Sequence, residues 1–119
     1  MNGNWFWWSW QPRFAELWQQ MFNRFTNTHN LNNLLWVYGP NYPGGAKPIG
    51  EYYPGHSYVD VLSVDVYETY GHTFNDQTMY NDLLSVGDNR PVGFGENGRM
   101  PDVSWLKTVS YTHLTLPTN

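Results

Sequence analysis

The residues that could do chemistry stand at the ends of apolar runs. At 90–98 the chain reads Arg-Pro-Val-Gly-Phe-Gly-Glu-Asn-Gly, so the run from Val92 to Phe94 stops and delivers Glu96 into a glycine-lined opening. In parallel α/β folds the C-terminal ends of strands are where ligands bind and reactions occur. A second run, Tyr58–Tyr67, closes with Asp65 and Tyr67, which stand two apart and therefore share one face of a strand. Near the start, Trp5, Trp7, Trp8 and Trp10 fall within six residues. One core cannot take all four, and concentrated exposed aromatics mark binding surfaces.

Composition narrows what such residues could act on. Aromatics make up 18% of the 119 residues and charged residues only 13%, the reverse of a disordered chain. Asn, Gly, Trp and Tyr commonly line carbohydrate clefts, where rings stack on sugar C–H patches and amides reach hydroxyls; the same residues could also fill a large aromatic core. The net charge of −4 and the absence of a basic stripe argue against nucleic acid as a partner. No apolar run approaches membrane-spanning length, and no signal peptide is visible. Without cysteine there is no disulfide framework and no thiolate metal site. His29, His56, His72 and His113 lack ligand-like spacing, and the acids are too scattered for a calcium loop.

The elements that must position these groups follow from periodicity. Pro12 opens a helix on which Phe14, Leu17, Trp18, Met21, Phe22 and Phe25 form one apolar face, predicted to be core; the helix ends near Thr28–Asn30. Leu34–Tyr38 is a continuous apolar run suited to a strand buried on both faces, closed by Gly39-Pro40. Asn41–Ser57 shows no period and reads as a loop or at most a short helix, and Tyr58–Tyr67 is the next strand. Thr73–Val86 carries a weaker helical pattern capped by Asn75 or Asp76, Gly87–Asn89 is a turn, and the strand within Arg90–Gly98 follows. Pro101–Thr108 starts another helix. Alternation of strands and helices predicts an α/β chain with a parallel sheet.

Four segments, in this order, resemble glycoside hydrolase family 26, best known for endo-β-1,4-mannanases. They are Met-Asn-Gly-Asn-Trp-Phe-Trp-Trp (1–8), Leu-Asn-Asn-Leu-Leu-Trp-Val-Tyr-Gly-Pro-Asn (31–41), Tyr-Pro-Gly-His-Ser-Tyr-Val-Asp-Val-Leu-Ser-Val-Asp-Val-Tyr (53–67) and the stretch at 90–98. The resemblance implies a (β/α)8 TIM barrel and a retaining hydrolysis of β-mannan or manno-oligosaccharide that needs neither metal nor organic cofactor. It implies that Glu96 is the nucleophile, that Tyr67 hydrogen-bonds it, that Asp65 shares the network, and that Trp5 walls the cleaved bond. Trp7, Trp8 and Asn2 match the sugar-binding segment.

The pattern departs at both ends. In the family a His-Glu pair carrying the acid/base precedes the segment that begins here at Met1. A (β/α)8 barrel takes about 250 residues. The expectation is therefore a partial barrel, from the end of strand four to the start of helix seven, with 1–108 as part of a catalytic domain. Val109–Asn119 resembles the translation of a transposon-end sequencing adaptor and is read as a non-native tail. Such a piece would be inactive alone and prone to aggregate through its open edges. The parent would be a monomeric enzyme, secreted or periplasmic because polymeric mannan does not enter cells. The resemblance also covers β-1,3-xylanases and β-glucanases. A non-catalytic carbohydrate-binding module would instead be a β-sandwich of short alternating strands, against which the long helix argues.

Overall fold

The computed structural model describes residues 1–5, 7, 9–42, 47–67, 77–98 and 104. Trp8, the capping pair Asn75 and Asp76, His72, the helix expected over 101–108 apart from Ser104, and the tail at 109–119 lie outside the described residues.

Helix α1 spans Phe14–Asn23 and runs into a π-helical turn, Arg24–Thr28. Thr26 Oγ donates to the Phe22 carbonyl at 2.8 Å, and His29 N–H reaches back to Arg24 O. Asn30 takes a left-handed φ of 54°, and Leu31 N–H then reaches Phe25 O, a closure typical of helix ends. Only part of the predicted apolar stripe packs inward. Trp18 meets Trp36 and Tyr38 edge-on and donates its indole N–H to Tyr58 O at 2.9 Å, while Phe22 contacts Trp36 and Tyr58. Leu17, Met21 and Phe25 are exposed, so the expectation that the whole stripe is core is corrected. Six positions span an arc wider than one neighbouring layer can cover.

The strands are β1 (Val37–Tyr38), β2 (Asn41–Tyr42), β3 (Val61–Val66) and β4 (Val92–Asn97), all paired in parallel. Val37 faces Val61, Tyr38 faces Leu62, Asn41 faces Asp65 and Tyr42 faces Val66, a constant offset in register. β1 and β2 are therefore one strand interrupted by Gly39-Pro40, and the ladder crosses the gap through Asp65 N–H to Pro40 O at 2.9 Å. Proline cannot donate to a ladder, so the break falls where its missing N–H does least harm. Two sequence expectations change accordingly. The strand runs on into the segment expected to be a loop, and of the run Leu34–Tyr38 only Val37 and Tyr38 join the sheet: Leu34 and Leu35 precede it and are exposed, and Val37 is exposed while Tyr38 is fully buried, so the strand is covered on one face only.

β3 is the central strand. Leu62, Val64 and Val66 are buried and cluster with Met79 and Leu83 of helix α2, Gln77–Gly87. Gly87 ends that helix against Leu62, where a Cβ would stand 3.0 Å from a methyl, and Asp88 and Asn89 turn the chain with φ of 42° and 67°. Asp60 Oδ2 accepts the Trp36 N–H at 2.8 Å and pins the entry of β1. With β3, α2 and β4 forming a strand–helix–strand unit in a parallel sheet, the antiparallel sandwich of a binding module is excluded for these residues.

Candidate active site

The alternate residues of β3, Ser63, Asp65 and then Tyr67, form the face opposite the helix-packed one. Exposure rises along it: Ser63 is 7% exposed, Asp65 half-buried and Tyr67 56% exposed. The result is a floor, a wall and a rim.

Glu96 reaches this face through an irregularity in β4. Ser63 faces Gly93 and Val64 faces Phe94, but Asp65 faces Glu96. Gly95 is thus the extra residue of a β-bulge, two residues opposing one, a device that re-aims a side chain. Without it the alternation would set Gly95 opposite Asp65. A Cβ on Gly95 would stand 2.6 Å from Asp65 Oδ1 and 2.8 Å from Ser63 Oγ, so the bulge demands glycine. Tyr67 donates its hydroxyl proton to Glu96 Oε2 at 2.8 Å. That bond is the first cause raising the phenol pKa above its ordinary value, with the charge on Glu96 second.

Burial is the largest influence on Asp65 and raises its pKa; the charge of Glu96 adds to this. The backbone N–H of Glu96 and the amino group of Met1 act the other way. Burial in turn lowers the pKa of the Met1 amine, which Asp65 partly offsets. Two carboxylates, a phenol and the first residue of the Trp-rich segment therefore meet at the C-terminal ends of parallel strands.

The remaining sequence candidates divide. Trp5 is half-exposed, and its indole folds over Gly3, where any Cβ would enter the ring. Trp7 is 88% exposed. Asn2, grouped with the sugar-binding residues from sequence, has a different task. It is fully buried, Nδ2 donates to Asn41 O (2.8 Å) and Lys47 O (3.0 Å), and Oδ1 accepts the Asn41 N–H (2.8 Å). Its carbonyl receives the Trp10 indole N–H at 2.7 Å and the Lys47 N–H. With both amide protons spent on backbone, Asn2 pins the Trp-rich segment to the sheet and has no donor left for a sugar. Lys47 closes the clamp, its ammonium over the rings of Trp10 and Tyr52 and 2.8 Å from Glu51.

The sequence model of glycosyl hydrolase family 26 matches residues 1–114. The chain belongs to glycosyl hydrolase family 26. Mannan endo-1,4-beta-mannosidase A and B of Caldalkalibacillus mannanilyticus is 34% identical over 95% of the chain, and a mannan endo-1,4-beta-mannosidase of Bacillus subtilis is 34% identical over 82%. The solved structure of GH26A from Muricauda sp. MAR_2010_75 superposes with a TM-score of 0.80 at 38% identity, covering 90% of this chain. A beta-mannanase from a symbiotic protist of the termite Reticulitermes speratus, complexed with gluco-manno-oligosaccharide, gives 0.65 at 34% identity over 82%. The chain spans 22% and 28% of the two curated relatives and 36% and 30% of the two solved chains. Family 26 enzymes are TIM barrels, and the described parallel sheet with its helices is a part of such an α/β fold.

Within this family 26 chain, three features of the site were not read from sequence: the Asn2 clamp, the bulge at Gly95 and the buried Ser63. The bulge did leave a signal. A Gly-Phe-Gly-Glu run cannot alternate cleanly, and glycine inside a strand often marks a bulge.

Proposed function

We propose that the protein carrying this chain is a retaining endo-β-1,4-mannanase with Glu96 as its nucleophile. In double displacement, one carboxylate attacks the anomeric carbon while a carboxylic acid protonates the leaving oxygen; water then hydrolyses the glycosyl-enzyme, the second group acting as base. The observation that carries this reading is the 2.8 Å hydrogen bond from Tyr67 to a strand-end Glu96 that stands opposite Asp65. A donor on Oε2 leaves Oε1 to attack and fixes the carboxylate plane. Asp65, its pKa raised by burial, sits beside it as the second acid of the network.

The acid/base in this reading lies ahead of Met1, as the His-Glu pair of the family's pattern. Trp5 would stack on the sugar at the cleaved bond, Trp7 would extend the platform, and Trp8 follows by motif. The chain would run from the end of barrel strand four to the start of helix seven. Alone it would be inactive, lacking the group that protonates the leaving oxygen. The whole enzyme would act as a secreted or periplasmic monomer on mannan, the substrate class in the relatives' names.

The test is Glu96→Ala in the full-length protein, assayed on an aryl β-mannobioside. Turnover should fall at least about 10³-fold, and added azide should restore it by forming the α-glycosyl azide. Undiminished hydrolysis, or first-formed product of inverted configuration from the wild-type enzyme, overturns the proposal.

A further inference from the structure

Asn2 and Ser63 are the buried polar side chains among the described residues. Asn2 is saturated by backbone groups. The Ser63 hydroxyl, in contrast, has no hydrogen-bond partner among the described residues. Buried polar groups are nearly always matched, and an exception asks for a reason.

Its surroundings supply one. Ser63 lies one pleat below Asp65 on the same face of β3. Its Oγ is 2.8 Å from the position a Cβ would take on Gly39, between β1 and β2, and 2.8 Å from the corresponding position on Gly95 in β4. Asp65 Oδ1 lies 2.6 Å from that same Gly95 position and 3.9 Å from that of Gly39. Both flanking strands thus carry glycine where the hydroxyl stands, and the Ser63 and Asp65 oxygens lie side by side over Gly95. A serine that merely filled space would not need two bare walls.

We propose that Ser63 is a positioning residue for Asp65: its hydroxyl donates through one bridging water to Asp65 Oδ1, within the slot between Gly39 and Gly95, and holds that carboxylate towards Glu96. This rests on the hydrolase reading above. The other groups facing Asp65 are Glu96 on β4, the Met1 amine on the N-terminal segment and Tyr67 on its own strand. Of these, the Glu96 backbone N–H favours the ionised form, as does the Met1 nitrogen while it is a charged amine, which it would not be where a residue precedes it. The Ser63 hydroxyl adds a further donor from below, and its loss makes the ionised form of Asp65 harder to keep.

The experiment is a double-mutant cycle in the full-length protein with Ser63→Ala and Asp65→Asn. Ser63→Ala should lower kcat about tenfold, leave KM within twofold, and move the acid limb of the pH profile upwards. In the Asp65→Asn background the same substitution should cost no further activity. Ser63→Cys, similar in shape with a weak donor, should follow Ala, and melting temperatures report folding separately. Equal losses in both backgrounds, or an unchanged acid limb and kcat, overturn the proposal. If Glu96→Ala stays active, the hydrolase reading fails; if it is inactive while Ser63→Ala behaves as wild type, only the role of Ser63 fails.

Discussion

Replacing Gly95 by alanine tests the geometry of the site most directly. The added methyl would meet Asp65 Oδ1 at 2.6 Å, Ser63 Oγ at 2.8 Å and Ser63 Cβ at 3.3 Å. Asp65 must retreat by about 0.8 Å to reach ordinary contact, or the bulge must open by as much. Overpacking of this kind costs about 1–3 kcal/mol. Against it stands a gain of about 0.4–1 kcal/mol from a less flexible unfolded chain, so the net loss of stability is on the order of 1–2 kcal/mol. The displacement matters more for catalysis, since moving a reacting group by about 1 Å costs on the order of 10²-fold in rate. Gly93, two residues earlier on the same strand, is the internal control, because its Cβ would have nothing within 4 Å. Gly93→Ala should be neutral or slightly stabilising and keep its rate. Urea unfolding and kcat on an aryl mannoside, measured for both variants in the full-length protein, give the comparison. Equal behaviour of the two, or a Gly95→Ala enzyme of normal rate, would refute the claim that the bulge sets the spacing of Asp65 and Glu96.

Three further outcomes follow from the structure. Asp65→Asn should lower turnover strongly while leaving a measurable residual rate, yet raise the melting temperature at neutral pH. A carboxyl whose folded pKa lies above its unfolded one favours folding only while protonated; that benefit, complete below the unfolded value of 3.8, is lost as pH rises through the folded value. The variant's advantage should therefore vanish in melts below that pH. Asn2→Ala removes three side-chain hydrogen bonds and strands half-buried backbone groups of Asn41 and Lys47; unfolding in urea should show a loss of about 2–4 kcal/mol. On α1, Trp18→Ala should cost about 3–5 kcal/mol while Leu17→Gln, at an exposed position, should stay within about 0.5 kcal/mol.

What could be read in the sequence was whatever periodicity or a local pattern carries. The alternation in β3 placed Asp65 and Tyr67 on one face, and the Gly-Glu end of β4 drew attention to Glu96. The stripe on α1 fixed the helix and its end. Burial of that stripe was overestimated, because a 3.6-residue period shows which side is apolar and not how wide a neighbour covers it. The break at Gly39-Pro40 hid the second half of a strand, since a proline that interrupts a run gives no hint that the register resumes beyond it. Asn2 was assigned to sugar because its fate depends on Asn41 and Lys47, some forty residues away, and no local pattern records such a partner.

Those same asparagines decide how the protein ages. Asn followed by Gly is the pair most prone to lose its amide, as the next backbone nitrogen attacks the side chain to form a succinimide. The chain holds this pair at Asn2-Gly3 and at Asn97-Gly98. At the first, the buried and fully engaged amide cannot swing into the attacking geometry without releasing the Trp-rich segment. At the second, the asparagine is exposed at the end of β4 beside Glu96. At Asn97 the attacking Gly98 nitrogen is held by Val66 O at 2.9 Å, so damage there waits on opening of the β4 end; it should still precede damage at Asn2, adding a negative charge next to the two acids of the site. Peptide mapping of stored protein would find the mass gain there long before it reached Asn2.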